Sequence, residues 1–340
     1  MSQYIKHAFK LVFHFETQDP FLFLAHHRDL YPKGNDKMGP AVSLEGRDIG
    51  NDFDLNNDFK MYHGRDVAGF PEHPHRGFET VTIVLEGFVD HFDSFGASGR
   101  YGEGDIQWMT AGRGMQHCEM FPCVYKDKPN PLELFQVWLN LPKKSKFVLP
   151  YYEMMWSEDY LFEEIPSLED GFFKMKLISG ELYGKKNVCP APDSLASDDA
   201  YHVAIAIFEV PEGGSLYLEK LSEGVERTLY YYEGDTITLA GESFDSGMGL
   251  MLTQDEIVIK NGNKPSKFLL LQGRPIGEPV VSYGPFVMNT KREIEEAYRD
   301  YQTTQFGGWP WKRPDPVYNR EEGRIAQYPD GKLIKPNKGQ

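Results

Sequence analysis

Glu72-His73-Pro74-His75-Arg76-Gly77-Phe78-Glu79 and its distant complement, Gly112-Arg113-Gly114-Met115-Gln116-His117-Cys118-Glu119, decide how this chain is read. In an extended strand, side chains two residues apart point to the same face, so His73 and His75 share one face and His117 and Glu119 share another. Pro74 and Cys118 then face away. Brought together in a barrel, the two pairs would converge three imidazoles and a carboxylate on one cation. That donor set suits non-haem iron, manganese, nickel, copper or zinc.

The residues between the pairs fit such a barrel. Thr80-Val81-Thr82-Ile83-Val84-Leu85-Glu86-Gly87 alternates branched and polar residues before a glycine, which reads as strand then turn. A second strand and turn, Gly104 to Gly112, precedes His117. Glycines at 69, 87, 96, 99, 102, 104, 112 and 114 punctuate short strands, as in an antiparallel all-β barrel.

The stretches HPHRGFETVTIVLEG (73–87), GDIQWMTAGRGMQHCE (104–119), QVWLNLP (136–142) and GPFVMNT (284–290) resemble the pirin family, two-domain proteins of the cupin superfamily. The resemblance covers most of the chain, in order. It implies two tandem antiparallel cupin barrels with a C-terminal helix, and iron held by the histidines of H-P-H and the His and Glu of H-x-E. Here those are His73, His75, His117 and Glu119, with Fe(II) the expected metal and Mn, Ni, Cu or Zn as alternatives. Two departures stand out. Residues 30–59 are longer and more polar than the family pattern, as is the tail from Gln305.

Composition bounds the class. At 340 residues, with 40% hydrophobic and 26% charged residues, the chain is ordinary for a soluble globular protein. A formal charge of −15 opposes the phosphate neutralisation that drives nucleic-acid binding, so no direct nucleic-acid partner is expected. Three cysteines without a C-x-x-C pair point to a reducing compartment, the cytoplasm, or the nucleus in a eukaryote. No stretch approaches the ~20 apolar residues of a membrane helix, and the N-terminus lacks a signal pattern.

Taken in order, Phe9 to Phe15 and Pro20 to Leu24 read as strands that start the first barrel. Adjacent His26 and His27 would point to opposite faces of a strand and cannot both serve one metal. Residues 34–60, rich in Gly, Asn and Asp, read as a long loop and a candidate lid. Glu79, four residues beyond His75, stands where many cupins keep a metal-binding carboxylate and so competes with Glu119. The resemblance gives the ligand role to Glu119 and leaves Glu79 a buried acid needing a partner, for which Arg76 is a nearby candidate. Trp108 and Met109 read as core, with Gln107 and Phe78 as weaker candidates for a pocket wall. Cys118 reads as a small buried hydrophobe.

Residues 187–199 read as a linker, and a second strand-rich block runs from His202 to Leu271. Tyr230 to Gly234 echoes Ile83 to Gly87. The same offsets place Lys220, Ser222, Phe268 and Leu270 where the first block has His73, His75, His117 and Glu119, so the second barrel has lost its ligands and His202 is structural. Thr290 to Glu293 is a capping box, and Ile294, Ala297, Tyr298 and Tyr301 mark an amphipathic helix followed by a tail expected to be partly disordered. The division is therefore 1–160 (metal barrel), 161–286 (second barrel) and 287–340 (helix and tail).

By resemblance, the expected activity is a quercetin 2,3-dioxygenase-type oxygenation of a flavonol or other enolic small molecule, with Glu119 both ligand and base. The alternative is an iron-dependent, redox-responsive transcriptional co-regulator acting through a protein partner. A purely structural metal fits less well, since structural zinc sites are usually closed and often Cys-rich.

Overall fold

The computed structural model describes residues 3–168 and 171–337. The protein is mostly β, 46% strand and 8% helix. It divides into two compact units. One holds residues 26–137, 143–159 and 278–340, and the other residues 1–25, 138–142 and 160–277.

The unit carrying the two histidine stretches is built from two antiparallel sheets. One runs in the order Tyr151–Met155, Ile106–Thr110, Phe78–Glu86, Asn130–Asn140, Phe21–Tyr31. The other runs Leu333–Ile334, Ile325–Gln327, Ser98–Gly102, Phe88–Asp93, Met115–Phe121, Ala68–His75. Their inner faces meet, with Thr82 on the first sheet 3.0 Å from Glu119 on the second. The turn at Gly87 needs glycine: its φ is +81°, and a Cβ would sit 2.4 Å from the Pro131 carbonyl oxygen.

In the other unit a large sheet runs Ile5–Lys10, Met248–Leu252, Glu226–Glu233, Ser266–Gly273, Ala204–Val210, Phe172–Leu182, Glu163–Pro166. A four-stranded sheet accompanies it, and Phe208, Leu229, Ile237, Leu250, Phe268 and Leu270 are among the apolar side chains of its core. Phe268 and Leu270 lie on Ser266–Gly273, which pairs with Glu226–Glu233 as Asn130–Asn140 pairs with Phe78–Glu86 in the first barrel, so they do not match His117 and Glu119 as the offsets suggested; the strand in the place of Met115–Phe121 is Ile257–Asn261.

Three further sequence expectations need correction. The expected opening strand Phe9 to Phe15 divides: Phe9 and Lys10 end the strand Ile5–Lys10, which pairs with Met248–Leu252 at the edge of the second unit's sheet, while His14–Phe15 pairs with Phe21–Tyr31 in the sheet of Phe78–Glu86, as expected. The boundaries 1–160, 161–286 and 287–340 follow chain order, whereas contacts return residues 278–340 to the metal unit. Ile325–Gln327, for example, pairs with Ser98–Gly102. Nor is the tail loose where it is described, through residue 337; its last three residues lie outside the described range. Trp309, Trp311, Val317 and Tyr318 pack against Val67, Phe92, Cys118 and Met120, and the Trp311 indole donates to the Asp93 carbonyl at 2.8 Å. A run of large aromatics gains enough buried area to offset the entropy of ordering such a segment.

The helix Lys291–Thr304 forms as its sequence predicts. Thr290 Oγ1 accepts from the Glu293 amide at 3.2 Å, and the Glu293 carboxylate accepts from the Asn289 amide at 3.1 Å. Ile294 and Ala297 are buried against Phe286 and Met288. No helix among the described residues is long and apolar enough to cross a membrane.

Arg100 ties the tail to the sheet. Buried to 1% exposure, its Nε and Nη2 each donate to Asp90 at 2.6 Å, while Nη1 donates to the carbonyls of Asn319 and Glu322. The Tyr318 amide donates to the same Asp90 carboxylate at 2.8 Å. Removing one partner of such a pair strands a buried charge. Asp90→Ala should therefore cost about 3–5 kcal/mol in chemical denaturation, with the tail becoming the first site of limited proteolysis.

Candidate metal centre

The H-P-H stretch ends the edge strand Ala68–His75, where Pro74 is tolerated because one row of amides has no sheet partner. A shift of register between Phe70 and His73 marks a bulge, and beyond it His73 lies directly opposite His117 on Met115–Phe121. Gly69, the second residue of this strand, is needed there: its φ is +128°, and a Cβ would sit 2.3 Å from the Glu119 carbonyl oxygen.

Ligand atoms of His73, His75 and His117 lie within 4.8 Å of one another, the one such His/Cys/Asp/Glu group among the described residues. Ring centroids are 4.8 Å apart for His73 and His75, 4.4 Å for His73 and His117, and 4.9 Å for His75 and His117. His73 Nδ1 donates to the Pro71 carbonyl at 2.8 Å, and His75 Nδ1 lies 3.4 Å from the Pro285 carbonyl. A carbonyl only accepts, so the proton is fixed on Nδ1 and Nε2 keeps its lone pair. This is how metal-binding imidazoles are usually held.

His117 is fully buried, and neither ring nitrogen has a hydrogen-bond partner. Buried polar atoms are seldom left so. Burial also lowers the pKa of all three, His73 to about 4 and His75 and His117 well below the ordinary value, with neighbouring rings adding to the effect. Neutral imidazoles with converging lone pairs fit a transition-metal ion.

Glu119, the fourth predicted ligand, is not a member of this trio. It is 7% exposed and on the same face as His117, and its Oε1 lies 3.0 Å from the Thr82 hydroxyl. Burial raises its pKa, against the opposing influence of His91 and Thr82. The Thr82 hydroxyl also lies 2.8 Å from Gln136 Oε1, and its single proton serves one acceptor at a time.

Sequence reading passed over His91. It lies on Phe88–Asp93 directly opposite Glu119, is fully buried, has neither nitrogen hydrogen-bonded, and its ring centre is 5.4 Å from that of His117. The signal was present: His91 and Asp93 are also spaced by two.

Other expectations sort by face. Cys118 is buried on the outer side among Val67, Phe92 and Met120, where burial pushes its thiol pKa well up. His26 binds Glu133 at 2.8 Å, and His27 Nδ1 lies 2.8 Å from the Tyr62 hydroxyl. Glu79 accepts from Trp108 Nε1 and Thr110 Oγ1. Arg76, its expected partner, instead donates to Asp300 at 2.8 Å and stacks 4.4 Å from the Phe306 ring. The 34–60 loop is pinned by Arg47 to Asp52 at 2.8 Å, and it places Phe53 6.3 Å from Phe70, itself 6.3 Å from His73. With Phe78 5.0 Å from His75, the imidazoles have aromatic neighbours on two sides.

Comparison with known proteins agrees with this architecture. The family model described as Pirin matches residues 8–139, and the Pirin C-terminal cupin domain matches 206–307. A pirin-like protein of Solanum lycopersicum is 38% identical over 71% of this chain and 77% of its own length. Pirin of Homo sapiens is 35% identical over 73% and 81%. Among solved structures, quercetin 2,3-dioxygenase from Acinetobacter baumannii superposes with a TM-score of 0.69 at 26% identity, covering 89% of this chain and 98% of the other.

Two outcomes are expected. His75→Ala or His117→Ala should each lose most bound metal by elemental analysis, while Cys118→Ala and His202→Ala retain it. The metal-free protein should also lose stability as pH falls. The unfolded chain takes up protons at these histidines below about 6.5, whereas folded His73 does so only near 4. Stability is thus complete above 6.5 and declines towards 4, and His73→Gln should flatten that decline in denaturation curves measured across the range.

Proposed function

Because the chain belongs to the pirin family, we propose that it is a non-haem iron protein carrying out a quercetin 2,3-dioxygenase-type oxygenation of a flavonol or another enolic substrate. The observation that carries this reading is the trio of His73, half-buried, and His75 and His117, both buried, with lone pairs converging in neutral form. The nearby buried carboxylate of Glu119 and the similarity to the Acinetobacter baumannii enzyme support it.

In this reading the three imidazoles and Glu119 hold Fe(II), with other divalent transition metals as weaker fits. When bound there, iron supplies Lewis acidity towards an enolic hydroxyl and one-electron chemistry towards dioxygen. The protein's own groups do the rest. Burial raises the proton affinity of Glu119, which makes it a better base than an exposed carboxylate for taking the substrate's hydroxyl proton. Thr82 at Oε1 steadies the carboxylate during that transfer. Phe53, Phe70 and Phe78 offer apolar faces to a flat ring and help exclude water.

The test is anaerobic iron loading followed by oxygen uptake with a panel of flavonols and other enols, with metal content measured on the same samples. Uptake should require both substrate and His117, and Glu119→Gln should slow it by about 10²-fold or more. Full iron loading with no uptake on any substrate would overturn the oxygenase reading. It would favour the redox-responsive co-regulator, whose partner would be a protein.

A further inference from the structure

We propose that His91 is a positioning residue whose imidazole N–H holds the Glu119 carboxylate in place beside the His73, His75 and His117 cluster. The proposal rests on reading those four residues as one metal site.

The strand Phe88–Asp93 pairs with Met115–Phe121 so that His91 faces Glu119 and Asp93 faces His117. Directly opposed residues of an antiparallel pair share a face, with Cβ atoms about 4.5–5.5 Å apart. His91 and Glu119 are therefore neighbours by the geometry of the ladder. Both are buried, His91 completely. An imidazole always carries at least one N–H, and leaving it without an acceptor in a water-free interior is costly. Neither nitrogen of His91 has one.

The groups facing this ring narrow the choice of acceptor. Tyr152 stacks flat on it, with centroids 5.3 Å apart and 12° between planes, and offers only an aromatic face. Asp93 Oδ2 is 3.5 Å from Nε2, too far for a sound bond, and lies at that nitrogen alone, leaving Nδ1 without an acceptor. His117 is committed to the trio. Glu119 remains, and it is short of donors, because the Thr82 proton is shared with the nearer Gln136 oxygen. A buried donor without an acceptor thus stands across the ladder from a buried acceptor with half a donor.

Such a bond matters because a carboxylate ligand that is free to rotate binds weakly. Partners that orient metal ligands are worth 10–100-fold in affinity. If His91 serves only to pack against Tyr152, phenylalanine replaces it without loss.

The experiment compares His91→Phe, which keeps the ring and its stacking, with His91→Gln, which keeps an N–H donor. Both are measured with Ni(II) and with Fe(II) by chelator competition, after thermal unfolding confirms that each variant is folded. The expected result is a 10–100-fold loss of affinity in His91→Phe, substantial recovery in His91→Gln, and no further loss when His91→Phe is added to Glu119→Ala. The inference is overturned if His91→Phe binds metal like the wild type, or if its loss is as large without the Glu119 carboxylate as with it. Wild type and His73→Ala are run alongside. Equal binding by those two would sink the metal-site reading itself, and the His91 role with it.

Discussion

Three imidazoles gathered in one largely enclosed space resist being charged together, since each positive ring raises the cost of the next and little solvent is at hand to spread the charge. The interior around His73, His75 and His117 is arranged on that condition. Carbonyls of Pro71 and Pro285 face the Nδ1 atoms of the H-P-H pair, and His117 is enclosed with no partner at all. The proton positions follow from the backbone and the lone pairs follow from the proton positions.

Those backbone carbonyls are themselves fixed by the path of the chain. Pro71 lies in the irregular part of the edge strand, where the bulge resets the register so that His73 meets His117. Pro285 comes from more than two hundred residues away, in the segment leading to the helix Lys291–Thr304. That helix is anchored beside the site, where Tyr301 Oη donates to Gln116, the residue next to His117, and Gln116 donates to the Gln305 carbonyl. Arg76, next to His75, is held from the same side by Asp300 and Phe306. The orientation of the metal candidates therefore depends on both ends of the unit.

The parts of this arrangement that were legible in the sequence are those set by local periodicity. Alternation of period two placed His73 with His75, His117 with Glu119, and Cys118 on the opposite face, while the capping box and the i, i+3, i+4 pattern placed the helix. Pairings over long distances were not legible. Ile5–Lys10 reads the same whichever sheet it joins, and its placement beside Met248–Leu252 is a property of register across the chain. Arg76 was assigned to Glu79 on proximity in sequence, yet its partner is Asp300. His91 escaped notice because its importance lies in what stands opposite it, and a single strand does not announce its neighbour. In the tail, Pro and Lys suggested looseness, while Trp309, Trp311 and Tyr318 carried the contrary signal.

The tail has a colloidal consequence as well. Ala68–His75 is the last strand of its sheet, and an unpaired edge is a template on which a second chain can add. Here the Glu72 amide is occupied by the Pro314 carbonyl at 2.7 Å, and Leu333–Ile334 caps the strand that closes the opposite edge. Residues 314–334 thus act as an intramolecular edge guard. A chain cut short of them would keep every candidate ligand and still present two open β-edges on which neighbouring chains could add strands.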